Sequence, residues 1–240
     1  MLLMKEKEWL LRDKYNGIET EEFKSDLKKL EDGEPLAYLI GWTPFLNTRI
    51  YLDSKPLIPR PETEYWVSKA IEEIRKVESP TILDLCAGSG CIGVSVLKEI
   101  PDSKVDFVEI DPMHHDTIKK NIIENDIDIS RTNIFEGDLF QNIKGEYDFI
   151  LSNPPYIDKD LNRIDKSIME NEPSIALYGG KDGIEIIERI LKESPKYLKL
   201  GGTLYIEHEP EQVSRLNGLT HHKDQFGVKR FSTLKPVREK

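Results

Sequence analysis

The tetrapeptide Asn153-Pro154-Pro155-Tyr156 combines residue types that can hold a planar amino group. The amide oxygen of Asn153 and the backbone carbonyl of Pro154 can both accept hydrogen bonds from one NH2 nitrogen, and the prolines restrict the backbone that carries this carbonyl. Tyr156 can pack against the flat group that is held. The tetrapeptide follows an apolar run, residues 147–152, with the character of a strand. Because Asn-Pro-Pro can also simply turn the chain, the hypothesis depends on what lies beside it.

A glycine-rich loop lies upstream, between a predicted strand and a predicted helix. Gly88, Gly90 and Gly93 have the spacing G-x-G-x-x-G, which is typical of loops that bring the backbone close to a dinucleotide or another adenosine-containing ligand. A purely structural glycine turn is a third interpretation. Glu109 ends the next predicted strand, nineteen positions after Gly90, close to the spacing of a ribose-binding carboxylate. Asp111 competes for that role, but its place before Pro112 suits a helix cap better.

Three features favour methyl transfer from S-adenosylmethionine over hydride transfer from a nicotinamide cofactor. A chain of 240 residues leaves little room for two mononucleotide-binding halves and a substrate domain. The glycine loop follows a predicted helix, residues 61–77, and does not begin the fold. Finally, the tetrapeptide follows the fourth predicted strand, which sheet topology would bring beside the cofactor crevice.

Composition predicts a soluble, cytoplasmic protein without a membrane segment. The net charge of -10 argues against a stable nucleic-acid partner. Both cysteines, Cys86 and Cys91, lie in the glycine loop and are interpreted as small apolar residues, and no zinc-binding spacing is present, so no metal is expected. The histidine pairs 114–115 and 221–222 are interpreted as solvated, and His208 as facing either the site or the surface.

The chain predicts an α/β protein with a doubly wound, mostly parallel sheet. Residues 1–33 are expected to form a short helical N-terminal cap, residues 34–60 a hairpin-like connector, and residues 61–240 the methyltransferase domain. Asp182 and Glu185 are interpreted as a capping box that begins a helix, and residues 213–219 as a helix. Strands are predicted at residues 81–87, 104–110, 133–138, 147–153, 203–207 and 229–234.

From about Glu34 onward the chain resembles the HemK-type glutamine methyltransferases, which modify peptide chain release factors. The strings that carry the resemblance are Pro-Leu-Ala-Tyr-Leu-Ile-Gly at 35–41, Leu-Ile-Pro-Arg-Pro-Glu-Thr-Glu at 57–64, the loop at 84–93, Asn-Pro-Pro-Tyr-Ile at 153–157, Glu-Pro at 172–173 and Ala-Leu-Tyr-Gly-Gly-Lys-Asp-Gly at 176–183. Family members usually have a longer helical N-terminal domain, and the family's first loop glycine is Cys86 here.

The resemblance implies a seven-stranded S-adenosylmethionine-dependent fold and methylation of the side-chain amide nitrogen (N5) of the glutamine in a Gly-Gly-Gln motif of a release factor. It also implies a role for each matching position. Cys86, Ala87, Gly88, Ser89 and Gly90 would surround the methionine part of the cofactor, Glu109 would bind the ribose, and Asp138 and Leu139 would flank the adenine. Asn153 would touch both cofactor and substrate, while Pro154, Pro155 and Tyr156 would complete the glutamine pocket, with Asn153, Pro154 and Tyr156 as the catalytic group.

The tetrapeptide by itself leaves other acceptors open. Adenine N6 offers the same flat NH2, although a base methyltransferase would need a nucleic-acid-recognition domain or a broad basic groove. A ribosomal-protein glutamine is a closer alternative, and a non-catalytic S-adenosylmethionine-binding subunit of a larger assembly is another. An amide nitrogen is a poor nucleophile, so catalysis is expected to depend on positioning by Asn153 and not on a side-chain base.

Overall fold

The structure of the protein, a computed structural model, describes residues 2–161 and 166–236. Its N-terminal part consists of helices α1 (Leu2–Asp13), α2 (Glu21–Glu31) and α3 (Leu36–Ile40). Thr20 caps α2 by accepting a hydrogen bond from the backbone N–H of Phe23 at 3.1 Å. The three helices share a small apolar core of their own, formed by Leu10, Phe23, Leu30 and Leu39.

A two-stranded antiparallel hairpin follows these helices, with strands β1 (Trp42–Phe45) and β2 (Thr48–Tyr51). Two buried asparagines of a later helix, α6 (His115–Glu124), and of its C-cap hold β2 in place. The side chain of Asn121 pairs with the backbone N–H and C=O of Tyr51, and that of Asn125 does the same with Arg49. The hairpin is thereby fixed to the outside of the main domain.

The main domain is built on a seven-stranded sheet. Its strands are β3 (Thr81–Leu85), β4 (Lys104–Glu109), β5 (Thr132–Glu136), β6 (Tyr147–Ser152), β7 (Leu198–Glu207), β8 (Thr220–Lys223) and β9 (Lys229–Leu234). Their spatial order is β5-β4-β3-β6-β7-β9-β8, parallel from β5 to β7 and antiparallel at β9 and β8.

Helices cover both faces of this sheet. The remaining helices are α4 (Pro61–Ile74), α5 (Cys91–Glu99), α7 (Lys166–Asn171), α8 (Ser174–Leu177) and α9 (Glu185–Glu193). One core cluster joins α4, α5 and α6 to one set of alternate strand residues, such as Ile82 and Phe149. The other joins α9 to the opposite set, such as Leu83 and Ile150. This alternation is what a sheet buried on both faces requires, and the prediction of a doubly wound, mostly parallel seven-stranded fold is confirmed.

Two local predictions were wrong. Asp182 does not cap a helix, because it lies in a 3₁₀ turn with φ +56° and its carboxylate pairs with Arg215 at 3.0 Å. Helix α9 begins at Glu185 instead. Residues 213–219 do not form an α-helix either. A 3₁₀ helix at Pro210–Arg215 is followed by β8, a polar edge strand that has no apolar alternation to reveal it.

Across residues 2–161 and 166–236, no helix has the length and apolar character needed to cross a membrane.

Candidate active site

A cleft opens at the carboxyl ends of β3, β4 and β6. Strands β4 and β5 extend the sheet on one side of β3, and the chain then returns to the other side of β3 as β6. The cleft therefore lies at the topological switch point of the sheet. The cleft encloses about 870 Å³, including the part open to solvent. Its walls are formed by Leu57, Cys86, Gly88, Val108, Glu109, Ile110, His114, Gly137, Asp138, Leu139, Asn153, Pro155, Ile175, Ala176, Tyr178 and Ile186.

The glycine loop between β3 and α5 has a backbone that side chains would strain. Cys86, Gly88 and Gly90 all have positive φ, at +63°, +54° and +76°. A Cβ at Gly93 would lie 2.4 Å from the ring of Phe107, so this glycine lets α5 pack directly on β4. The backbone N–H of Gly93 donates to the buried carboxylate of Asp84 at 2.9 Å, which ties the loop to the end of β3.

Glu109 presents a buried carboxylate at the end of β4. One of its oxygens accepts a hydrogen bond from the N–H of Gly88 at 2.7 Å, and the other accepts from the N–H of Asp111 at 2.9 Å. The side chain is 7% exposed and lines the cleft. A carboxylate held by two backbone donors is well placed to accept hydrogen bonds from a pair of neighbouring hydroxyl groups, as on a ribose.

The rest of the cleft fits an adenosine-containing ligand. Apolar side chains from Val108, Leu139 and Ile186 line the same cleft as the oriented carboxylate of Glu109, which suits a flat base attached to a sugar. Asp138 also lines the cleft, but its carboxylate pairs with Arg189 at 2.7 Å. The chemistry of these walls is therefore compatible with S-adenosylmethionine.

The predicted cofactor residues do not all face the cleft in the same way. Cys86 and Gly88 line it, whereas Ala87, Ser89 and Gly90 are buried within the loop. The N–H of Ala87 donates to the carbonyl of Val108 at 3.0 Å, and the carbonyl of Ser89 accepts from Asn121 at 2.9 Å. The N–H of Gly90 donates to the carbonyl of Ala87 at 2.7 Å, so the backbone groups of these three residues stabilise the loop.

Asn153 lies where the cleft meets a second, smaller cavity of about 480 Å³. Pro155 faces the first cavity, while Pro154 and Tyr156 line the second. The tetrapeptide thus forms the boundary between two spaces, which is the geometry required of a group that holds an acceptor beside a donor. The second cavity is completed by Leu57, Arg60, Ile157, Ile168, Ala176, Leu177 and Glu209.

A buried hydrogen-bond network supports the tetrapeptide from β7. Glu207, 1% exposed, accepts hydrogen bonds from Thr63 at 2.7 Å, Trp66 at 2.6 Å and Tyr156 at 2.9 Å. The side-chain NH2 of Asn153 donates to the hydroxyl of Thr63 at 3.2 Å. Burial raises the pKa of Glu207, and these three donors act in the opposite direction.

One further string of the sequence, residues 176–183, packs directly against the tetrapeptide. A Cβ at Gly179 would lie 2.7 Å from the carbonyl oxygen of Pro155, and one at Gly183 would lie 2.3 Å from that of Tyr156. The glycines of this loop are needed because its backbone touches the backbone of the tetrapeptide.

A buried ion pair lies beside the second cavity, which Arg60 lines. Arg60 donates to the buried Glu172 at 2.5 Å, and the N–H of Ile58 donates to the second oxygen of Glu172 at 3.1 Å. The segment before α4 is thereby fixed to the segment before α8.

Comparisons with known proteins agree with this geometry. Residues 68–173 match the family model of the methyltransferase small domain. Curated release factor glutamine methyltransferases are similar over most of the chain. The protein from Rhodopirellula baltica is 37% identical over 78% of this chain and 66% of its own length; that from Francisella tularensis is 32% identical over 94% and 80%; that from Clostridium botulinum is 32% identical over 90% and 75%.

The chain belongs to the release factor glutamine methyltransferase family.

Solved structures support the fold alone. A methyltransferase from Pyrococcus furiosus is 19% identical, with a TM-score of 0.56 over 78% of this chain and 88% of that one. TrmN from Thermus thermophilus is 15% identical, with a TM-score of 0.52 over 71% of this chain and 48% of that one.

In this family member, sequence reasoning missed Thr63 and Glu207, which support Asn153, and His114, which lines the cleft. His114 was expected to be solvated, but it is 4% exposed and its Nδ1 lies 2.8 Å from the hydroxyl of Ser54. His208 faces neither the site nor the surface, because it is fully buried beside Ser232. An acidic residue at the end of an apolar strand was the available signal for Glu207.

Proposed function

We propose that this chain transfers the methyl group of S-adenosylmethionine to the N5 nitrogen of the glutamine in the Gly-Gly-Gln motif of a peptide chain release factor. The observation that carries the proposal is the position of Asn153 between the two cavities, one suited to a nucleoside and the other bounded by Pro154 and Tyr156. The names of the curated relatives supply the substrate.

The lining of the first cavity supports our assignment of the cofactor side. Glu109 would accept hydrogen bonds from the ribose hydroxyls, and Asp138 and Leu139 would flank the adenine. Cys86 and Gly88 would form the wall beside the methionine part, in the loop in which Ala87, Ser89 and Gly90 are buried. When bound, S-adenosylmethionine supplies an electrophilic methyl group attached to a positively charged sulfur.

The substrate side acts by positioning. The amide oxygen of Asn153 and the carbonyl of Pro154 accept the two N–H hydrogens of the glutamine side chain, and Pro155 and Tyr156 confine its plane. This arrangement would aim the nitrogen at the methyl group, whose bond to sulfur breaks as the bond to nitrogen forms and which leaves a neutral thioether behind. The two oxygens would stabilise the positive charge that develops on nitrogen. The proton leaves to water afterwards, so the mechanism needs no side-chain base.

The cellular partner is the release factor, and the cytoplasm is the compartment in which we expect the reaction. Cys86 and Cys91 are both free thiols, which is consistent with a reducing environment.

The test is a transfer assay with methyl-labelled S-adenosylmethionine and, in separate reactions, a release factor, ribosomal proteins and DNA. We expect label on the release factor and no label when its motif glutamine is changed to alanine. Label on ribosomal proteins or on DNA alone would overturn the assigned substrate.

The role of Asn153 is tested in the same assay. We expect Asn153→Ala to lower kcat by about 10²- to 10³-fold, as the loss of one oriented hydrogen-bonding group in a transition state does. Asn133→Ala, on the exposed side of β5, is the matched control. Near-normal turnover by Asn153→Ala with intact cofactor binding would show the assignment to be wrong.

A further inference from the structure

The hydrogen-bond network behind Asn153 has a fixed direction, and the group that fixes it is an indole. The Nε1–H of Trp66 can only donate, so the oxygen of Glu207 that it contacts at 2.6 Å must accept. The hydroxyl of Thr63 contacts the same oxygen at 2.7 Å. Glu207 accepts from three donors, which is the hydrogen-bond pattern of an ionised carboxylate, so Thr63 is the donor in this contact as well.

The single proton of the Thr63 hydroxyl is therefore committed to Glu207. Toward Asn153, 3.2 Å away, Thr63 can only accept. The atom of Asn153 that faces Thr63 must then be the NH2 nitrogen, since an amide oxygen has no proton to give. The orientation of this amide follows from the donor and acceptor types around it.

We propose that Glu207, acting through Thr63, is a positioning residue that locks the amide of Asn153 with its oxygen toward the substrate, and that this lock makes the site select a carboxamide over a carboxylate. The inference rests on the proposed function. An oxygen that faces the substrate accepts a hydrogen bond from the NH2 of glutamine, whereas it repels the carboxylate of glutamate. A reversed Asn153 would present NH2 to the substrate, which inverts this preference.

Burial makes the lock rigid. Glu207 and Thr63 are both 1% exposed, and Trp66 is fully buried. Trp66 stacks against Tyr205 and Phe231, with ring centroids 6.4 and 6.2 Å apart. A reversal of the Asn153 amide would place its oxygen against the oxygen of the buried Thr63 hydroxyl, so the reversed orientation is disfavoured.

The experiment compares variants that break the lock at different points. Thr63→Val removes the hydroxyl with little change in shape and leaves the Asn153 amide free to turn. Glu207→Met removes the acceptor, which allows Thr63 to donate to Asn153 and favours the reversed amide. Thr63→Ser keeps the hydroxyl. Thr48→Val, a buried threonine of β2 remote from the cleft, is the matched control.

Two quantities are measured on the full chain. The first is kcat and KM with a release factor that has an intact Gly-Gly-Gln motif. The second is inhibition by the same factor with the motif glutamine changed to glutamate. We expect Thr63→Val and Glu207→Met to lower kcat by about 10- to 100-fold. We also expect both to reduce the preference for the glutamine factor over the glutamate factor, while the cofactor Kd is unchanged.

Rescue distinguishes the lock from a merely structural role. Thr63→Ser is expected to recover kcat and the glutamine preference relative to Thr63→Val, and Thr48→Val to match the unmodified chain. The proposal is wrong if Thr63→Val weakens the binding of the glutamine factor and of the glutamate factor equally. It is also wrong if Thr63→Val keeps both the kcat and the preference of the unmodified chain. If Glu207→Met does not fold, the Thr63 pair still decides.

Failure of the proposed function has a different signature. In that case the unmodified chain would not methylate the release factor, whatever the variants do.

Discussion

Two buried carboxyl groups lie on either side of β6, and they receive different numbers of hydrogen bonds. Asp84, at the end of β3, is fully buried and receives one hydrogen bond, from the N–H of Gly93. Its other oxygen has no hydrogen-bond partner among the described residues. Glu207, at the end of β7, is equally buried but receives hydrogen bonds from three side chains.

This difference separates the two halves of the cleft. The half that we assign to the cofactor is held by backbone groups around an incompletely paired acid, so its electrostatics depend on the protonation of that acid. The half that we assign to the glutamine is held by side chains whose donors and acceptors are matched, so its geometry is fixed. Mutations should therefore change pH dependence in the first half and orientation in the second.

The largest effect in the first half is expected from Asp84→Asn. Burial, with a smaller contribution from the nearby charge of Glu109, raises the pKa of Asp84 to about 8 from an ordinary value of 3.8. Between these two pH values the unfolded chain loses a proton that the folded chain retains, so stability falls as pH rises, by up to about 1.4 kcal/mol per pH unit. The fall should level off above pH 8, once the folded state also ionises.

Denaturant unfolding from pH 5 to 9 measures this slope. Asp84→Asn removes the ionisable group and should flatten the curve, whereas Asp126→Asn, with an exposed side chain, should leave it as in the unmodified chain. Equal slopes for Asp84→Asn and the unmodified chain would mean that Asp84 is ionised in the folded state.

Local patterns predicted the sheet well and the site incompletely. Strand β9 has the predicted bounds, and the turn that precedes it, at residues 225–227, has a local signal in Gly227. Glu109 lies at the end of β4, where the spacing after Gly90 placed it. These features depend on residues that are close in sequence or on the fixed geometry of parallel strands.

The support for Asn153 was not predictable in the same way. Thr63 and Glu207 are 144 positions apart, and their contact depends on how α4 packs on β7. The incorrect prediction that Asp182 begins a helix has a related cause. The glycines at 179 and 183 bring the loop against the tetrapeptide backbone, and that tertiary contact outweighs the local preference of Asp182 to cap a helix.

Glu109→Gln tests the charge of this side chain in the half of the cleft that we assign to the cofactor. The change keeps the size of the side chain but removes its charge, so the hydrogen bonds from the ribose hydroxyls lose their ionic component. We expect S-adenosylmethionine to bind about 10- to 100-fold more weakly, as measured by calorimetry. Because the charge of Glu109 contributes to the raised pKa of Asp84, the same variant should also lower the pH at which the unfolding curve levels off.

Glu136→Gln is the control for that variant. Glu136 pairs with Glu109 in the register of β4 and β5, but it is exposed. Unchanged cofactor affinity in Glu109→Gln would exclude a direct role of the carboxylate in binding.

The smallest effect is expected at a third buried carboxylate, Glu172. It forms an ion pair with Arg60 and accepts a hydrogen bond from the N–H of Ile58. Arg60→Met keeps the aliphatic part of the side chain and leaves Glu172 with only the N–H of Ile58 among its observed partners. We expect a loss of about 1–2 kcal/mol in the free energy of unfolding, since the remaining acid is buried. We also expect a higher KM for the release factor, because Arg60 lines the second cavity.

The control is Arg75→Met, which removes a more exposed ion pair with Glu99 and should leave both quantities unchanged. If the two variants behave alike in denaturant unfolding and in KM, the Arg60–Glu172 pair does not hold the second cavity in shape, and the rigidity of that half resides in the Glu207 network alone.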